Sequence, residues 1–197
     1  MAEVVLFHHI QGLTDGVRQL AASLERGGHR VHTPDLFEGA TPSSIEEGSE
    51  LVGRIGREEL TARADRAVAD LPASLVFAGI SLGVGSAQRF AQTRPGALGA
   101  LLYEGCLPTS GEWAIGPWPA GLPVQIHGMD HDPFFADEGD IDAARAIVKE
   151  VGPELGQLFV YPGDQHLFTD SSLASYDPAA TALAVERSLA LLDRVSR

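Results

Sequence analysis

Two patterns of hydrophobic and polar positions alternate along the chain. Short apolar runs rich in β-branched residues and closed by turn residues are separated by stretches whose apolar positions recur at helical spacing. The first run, Val4–His8, precedes a segment in which Val17, Leu20, Ala21 and Leu24 share one helical face and which stops at Gly27-Gly28. A strand is predicted near Arg30–Thr33, ending at Pro34-Asp35. In Pro42-Ser43-Ser44-Ile45-Glu46 a Ser precedes a Glu by three positions, so that hydroxyl and carboxylate can each take up a free N–H of a first helical turn. A helix is predicted from there, and a second, charged one to about Asp70. Leu75–Gly79 has the length and apolarity of a buried strand, and Leu82–Arg94 reads as a helix stopped by Pro95. Strands follow at Gly99–Tyr103 and Pro123–His127, separated by a loop rich in Gly and Pro that carries Trp113 and Trp118. Asp137–Val151 is predicted helical, Gln157–Tyr161 a strand, and Asp177-Pro178 the start of a last helix carrying Val185, Leu189 and Leu192.

This alternation predicts an α/β fold: a mostly parallel, doubly wound sheet of about six strands with helices on both faces and ligand sites at the carboxyl ends of the strands. A length of 197 residues without repeats, low-complexity tracts or a linker suits one domain over 1–197. With 14 basic and 27 acidic residues the net charge is −13, which argues against nucleic acid as a partner. No stretch approaches the roughly 20 apolar residues of a membrane helix. The single cysteine, Cys106, allows neither an intrachain disulfide nor a four-cysteine zinc site, and Met1–Phe7 lacks the basic flank of a secretory signal. The expectation is a cytoplasmic protein, monomeric or a small homo-oligomer, whose partner is a small molecule and which needs no metal or organic cofactor.

Gly79-Ile80-Ser81-Leu82-Gly83 fits G-x-S-x-G and lies where a buried strand meets a helix. A strand that turns directly into a helix needs small residues on both sides, and the turn lifts the Ser hydroxyl into a cleft above the helix N-terminus. There the Leu82 N–H is placed to stabilise an oxyanion. The competing reading is an inert Gly/Ser turn. A serine hydroxyl is a poor nucleophile without a base, so the chemistry requires a His and an acid at later strand ends. His166, in Tyr161-Pro162-Gly163-Asp164-Gln165-His166, follows the last strand, and both Asp130 and Asp132 follow the strand ending at His127. With either Asp the order is nucleophile, acid, base, the order of α/β-hydrolases.

These residues resemble the dienelactone hydrolase family of small α/β-hydrolases without a lid domain, over about Val4 to Arg194. The resemblance rests on Thr33-Pro34-Asp35-Leu36, Gly79–Gly83, the Pro-Val-x-x-His strand at Pro123–His127, and Gly163-Asp164-Gln165-His166-Leu167-Phe168. It implies Asp132 as the acid, nine positions after the Pro of its strand, and a second oxyanion donor in the Ile10 N–H. The chain departs from the family at three places. Ser81 stands where the dienelactone hydrolases proper have Cys, His9 where they have a Glu near the nucleophile, and Asp170 where an Arg binds an anionic substrate.

Other residues carry weaker signals. His9, Glu104, Phe134 and Phe168 are candidates for substrate contact, with core packing or an ordinary surface position as the alternatives; Trp113, Trp118 and Phe135 share the loops expected near the site. His127, Asp130, His131 and Asp132 contain metal-ligand chemistry, but consecutive loop residues seldom converge on one ion, so no metal site is expected. Cys106 lies away from the elbow and is expected to be a small buried residue. The expected function is a serine hydrolase of a small ester, lactone or thioester. The alternatives are a noncatalytic binding protein of the same fold and an acyltransferase using the same residues.

Overall fold

The computed structural model describes residues 1–196. Six strands, β1 (Glu3–Phe7), β2 (Arg30–His32), β3 (Val76–Ile80), β4 (Gly99–Tyr103), β5 (Val124–Met129) and β6 (Gly156–Tyr161), form one sheet in the order β2-β1-β3-β4-β5-β6. Every neighbouring pair is parallel. Six helices complete the described chain: α1 (Asp15–Arg26), α2 (Ile45–Ile55), α3 (Arg57–Val68), α4 (Leu82–Thr93), α5 (Asp140–Val151) and α6 (Pro178–Val195). None is long and apolar enough to cross a membrane.

Strand alternation divides the core. On β1, Val5 and Phe7 face a cluster with Phe77, Phe90, Leu102 and Ile126, whereas Val4 and Leu6 face Val17, Leu24, Leu101 and Leu192. Strands β3 and β4 are buried at every position because both their faces are covered, which is why they read as uninterrupted apolar runs. The chain runs from β1 to β2 on one side and then returns to place β3 on the other side of β1. At that reversal the connections leaving β1 and β3 diverge, and the carboxyl ends beside such a reversal are where open parallel sheets bind ligands.

Several boundaries differ from the sequence expectation for local reasons. Strand β5 continues past His127 because Gly128 and Met129 pair with Val160 and Tyr161 of β6. Gly128 has no side chain where the Phe135 ring packs, and any Cβ there would strike that ring. Helix α5 starts at Asp140 instead of Asp137, after Gly139 takes the left-handed conformation at φ 100°. At the start of α2 the reciprocal cap is shifted by one residue. The Ser44 hydroxyl accepts the Glu47 N–H at 3.2 Å, and the Glu47 carboxylate accepts the N–H and hydroxyl of Ser43 at 2.9 and 2.8 Å.

Candidate active site

The strand-to-helix join of β3 and α4 is a single residue, Ser81, at φ 48° and ψ −113°. That backbone is strained for a residue with a side chain. It is held by the Ser81 N–H donating to the Tyr103 carbonyl and the Ser81 carbonyl accepting from Val84, both at 2.8 Å. The flanking glycines make the turn sterically possible. A Cβ on Gly79 would lie 2.7 Å from the Val84 nitrogen, and one on Gly83 would lie 2.7 Å from the His8 carbonyl oxygen and overlap that of Phe7. The elbow thus packs directly against the end of β1. Leu82 is the first residue of α4, so its N–H has no intrahelical acceptor.

His166 reaches the elbow from the loop after β6. The Ser81 hydroxyl donates to His166 Nε2 at 2.8 Å, and His166 Nδ1 donates to Asp132 Oδ2 at 2.7 Å. Asp132 is fully buried. Its second oxygen, Oδ1, accepts the N–H groups of Phe134 and Phe135 at 2.9 and 3.3 Å, which fixes the carboxylate for the imidazole. The Phe134 ring packs on that imidazole with centroids 4.6 Å apart. Of the two candidate acids, only Asp132 meets His166. Asp130 bonds instead to His131 Nδ1 at 2.7 Å and to the Gly163 N–H at 2.9 Å. These two contacts hold its carboxyl below the usual carboxylate range and tie the β5 loop to the start of the His166 loop.

The departures at His9 and Asp170 belong together. Both side chains are buried, and His9 Nε2 donates to Asp170 Oδ2 at 2.7 Å. The Gln11 N–H donates to His9 Nδ1 at 3.1 Å, which fixes the proton on Nε2. Asp170 also accepts from the Thr14 hydroxyl and from the N–H and hydroxyl of Ser172 at 2.8 and 2.6 Å. Burial alone would raise its pKa, but the bonds from His9, Ser172 and Thr14 outweigh burial and hold the carboxyl at about 2. Gly16 leaves the space that this carboxylate occupies. Where the family pattern has Glu and Arg, this chain has a His and an Asp that engage each other. His9 is therefore not a substrate contact, since both its ring nitrogens are used inside the protein. It pins the turn carrying Ile10, closed by the Gly12 N–H donating to the His9 carbonyl at 3.0 Å; neither bond uses the Ile10 N–H.

Two further substrate candidates, Phe168 and Glu104, lie in the interior. Phe168 is fully buried beside Tyr161, 5.5 Å between ring centroids, and is core because the turn after His166 directs it between the sheet and α6. Glu104 is 2% exposed, so it is neither a surface carboxylate nor open to a substrate; its Oε1 accepts the Thr169 N–H at 3.0 Å. Burial raises its pKa to about 7. Trp118 and Phe135 are core residues, while Trp113 is exposed, with the Arg57 guanidinium over its ring.

The remaining polar candidates are structural. His127 is buried between Tyr161 Oη and Gln125 Oε1, and burial lowers its pKa to about 3. His131 points outward with Asp130, so the side chains of this segment diverge, and among the described residues no group of three or more His, Cys, Asp or Glu could hold a metal ion. His8 accepts the Leu36 N–H at 3.0 Å and donates to the His9 carbonyl; burial lowers its pKa to about 4. Cys106 is buried, and burial pushes its thiol up. Sequence reasoning missed Thr14, Thr169 and Ser172, since an isolated hydroxyl in a loop carries no spacing signal.

An open parallel sheet with a strand-to-helix Ser elbow beside a His and an Asp from later strand ends defines an α/β-hydrolase. A model of the dienelactone hydrolase family matches residues 1–196, so the chain belongs to that family and is a hydrolase of ester bonds. Solved structures share the fold. The dienelactone hydrolase-like promiscuous phosphotriesterase P91 from metagenomic libraries superposes with a TM-score of 0.75 at 18% identity, over 99% of this chain and 87% of its own. The Thermogutta terrifontis esterase Est2 gives 0.69 at 18% identity over 98% and 83%. A protein of the α/β superfamily from Xanthomonas campestris gives 0.64 at 22% identity over 98% and 99%. No curated protein matches the chain.

Proposed function

We propose that this chain is a serine hydrolase of small, uncharged esters, lactones or thioesters, acting through Ser81, His166 and Asp132. The observation that carries the reading is the continuous hydrogen-bonded path from Ser81 Oγ through both nitrogens of His166 to the buried Asp132 carboxylate. As Ser81 Oγ bonds to the substrate carbonyl carbon, its proton passes to His166 Nε2 while Asp132 holds Nδ1–H and balances the imidazolium. The carbonyl oxygen becomes an oxyanion facing the N–H groups of Leu82 and Ile10. Collapse breaks the bond to the leaving oxygen or sulfur, which takes the proton back from His166. Water, deprotonated by the same imidazole, then releases the acid and restores Ser81.

The preference for an uncharged substrate follows from the position of Asp170. The family's anion-binding Arg is replaced by a carboxylate that is itself engaged by His9, within a chain of net charge −13. A noncatalytic binding role would be supported by a separated Ser and His, and the 2.8 Å contact gives it no support.

The test is labelling by a fluorophosphonate together with turnover of p-nitrophenyl acetate, p-nitrophenyl propionate, a neutral lactone and a p-nitrophenyl ester that bears a free carboxylate. Labelling at Ser81 that is lost in Ser81→Ala, with faster turnover of neutral than of carboxylate-bearing esters, is expected. Labelling that survives Ser81→Ala, or no turnover of any ester, overturns the reading. Transfer to an added alcohol in preference to water would move it to acyl transfer.

A further inference from the structure

Glu104 brings a fourth ionisable side chain to this place without a role in the scheme above. It follows β4 directly in a left-handed conformation, φ 58°. It stands between Tyr103, whose carbonyl holds the Ser81 N–H, and Gly105, which packs against the Ser81 carbonyl. Its side chain reaches the other functional loop, where Oε1 accepts the N–H of Thr169, three residues beyond His166. Oε2 is buried and has no hydrogen-bond partner among the described residues, and neither has the Thr169 hydroxyl. A buried, half-satisfied carboxyl on a strained backbone is doubly unfavourable for folding. An apolar residue would avoid the first cost and glycine the second.

Every charged group acting on Glu104 belongs to the site or its wall. His166 and Asp132 act on it through space, and Tyr103, whose phenol bonds to Ser188, lies beside it. The imidazole is faced in turn by Ser81 and Asp132 through hydrogen bonds, by the Phe134 ring, and through space by Glu104 and the half-buried Asp140. Among the described residues, no lysine or arginine is one of the groups acting on Glu104 or Asp140.

We propose that Glu104 is a second acidic positioning residue of this site: it ties the His166 loop to the β4 side of the elbow, and its ionised carboxylate favours the imidazolium that His166 forms as Ser81 attacks. The proposal rests on the serine hydrolase reading. Coupling between two ionisable groups is reciprocal, so if a positive His166 favours the ionised carboxyl, the ionised carboxyl favours a positive His166 equally. Burial keeps Glu104 protonated below about 7 and leaves it ionised above, so the support switches on across neutral pH. Asp132, in direct contact, carries most of the charge balance. The effect of Glu104 is therefore about tenfold, well short of that of a triad member.

Glu104→Gln keeps the shape and the acceptor for Thr169 but removes the charge. The kcat/KM of wild type and variant on p-nitrophenyl acetate is compared from pH 5.5 to 9. The wild-type to variant ratio is expected near one at the acid end, rising through about 7 to about tenfold at the alkaline end. A ratio that does not change with pH reduces Glu104 to a structural tie and overturns the proposal. Should the variant fail to fold, Glu104→Met, which also removes the buried unpartnered oxygen, is compared over the same pH range, and a ratio that is flat with pH again refutes the coupling. Fluorophosphonate labelling run in parallel separates the two readings. Without labelling of wild type the hydrolase reading fails, whereas labelling with a flat ratio removes only the role of Glu104.

Discussion

Replacing Asp170 by Asn exchanges one buried carboxylate oxygen for an amide nitrogen and breaks a set of bonds that cannot rearrange. His9 Nδ1 accepts from Gln11, so its Nε2 carries the proton and needs an acceptor, which Asp170 Oδ2 supplies at 2.7 Å. If the Asn amide nitrogen takes that place, two donors face each other. If it turns the other way, the N–H of Ser172 loses its acceptor. The magnitude follows from the carboxyl's own ionisation. Holding it at about 2 against an ordinary 3.8 corresponds, at 1.36 kcal/mol per tenfold, to about 2.5 kcal/mol in favour of the folded state. A charge-assisted bond lost from a buried site is worth about 1.5–3 kcal/mol, which agrees. The sign is that of a depressed acid: the stabilisation is complete above about 4 and is lost as pH falls towards 2. Urea unfolding at pH 7 should show Asp170→Asn less stable by about 2–3 kcal/mol, with Tm lower by roughly 5–10 °C. The gap should narrow as pH is lowered from 4 towards 2. Because His9 braces the turn that carries Ile10, kcat should also fall about tenfold with KM nearly unchanged. A variant with the wild-type urea midpoint and slope at pH 7 would refute the reasoning, since the buried His9 would then be satisfied without the carboxylate.

Two further outcomes are expected. Gly83→Ala places a methyl group against the carbonyls of Phe7 and His8, backbone atoms that cannot yield, and should lower stability by about 3 kcal/mol in urea unfolding; a loss below about 0.5 would mean that α4 and β1 separate easily. Asp132→Asn leaves the Phe134 and Phe135 N–H bonds available but cannot accept from His166 Nδ1 in the required tautomer without turning its amide; kcat on p-nitrophenyl acetate should fall about 10³–10⁴-fold with folding retained by circular dichroism, and a loss of less than tenfold would remove Asp132 from the scheme.

Where both faces of an element are covered, its place was readable from the chain. Leu75 to Ile80 and Gly99 to Tyr103 are apolar throughout because helices pack on both sides of β3 and β4, and such a run has few other structures open to it. The elbow was readable for a similar local reason: Gly79 and Gly83 stand where any Cβ would collide with backbone, so the steric demand is written in residue type. The choice between Asp130 and Asp132 was not written in this way. Both are aspartates in one loop, and resemblance alone favoured the second until the Phe134 and Phe135 N–H groups were seen to turn its carboxylate to His166. Phe168 shows the opposite failure, because an aromatic residue in a loop near a site looks the same in sequence whether it lines a pocket or plugs a core.

By itself the sequence determined the parallel sheet, the Ser elbow, and the Ser and Asp that stand at positions 81 and 170 where the family pattern has Cys and Arg. These depend on residue type and on spacing within a single element, where sterics and periodicity act over a few residues. Only the tertiary structure decided that His9 and Asp170, two separate departures along the chain, form one buried pair, and that Glu104 lies sealed between the elbow and the His166 loop. Both facts join residues more than 60 positions apart in sequence. The energy of a buried polar group depends on which partner the fold delivers to it, and that is a property of the assembled sheet ends and not of any segment alone.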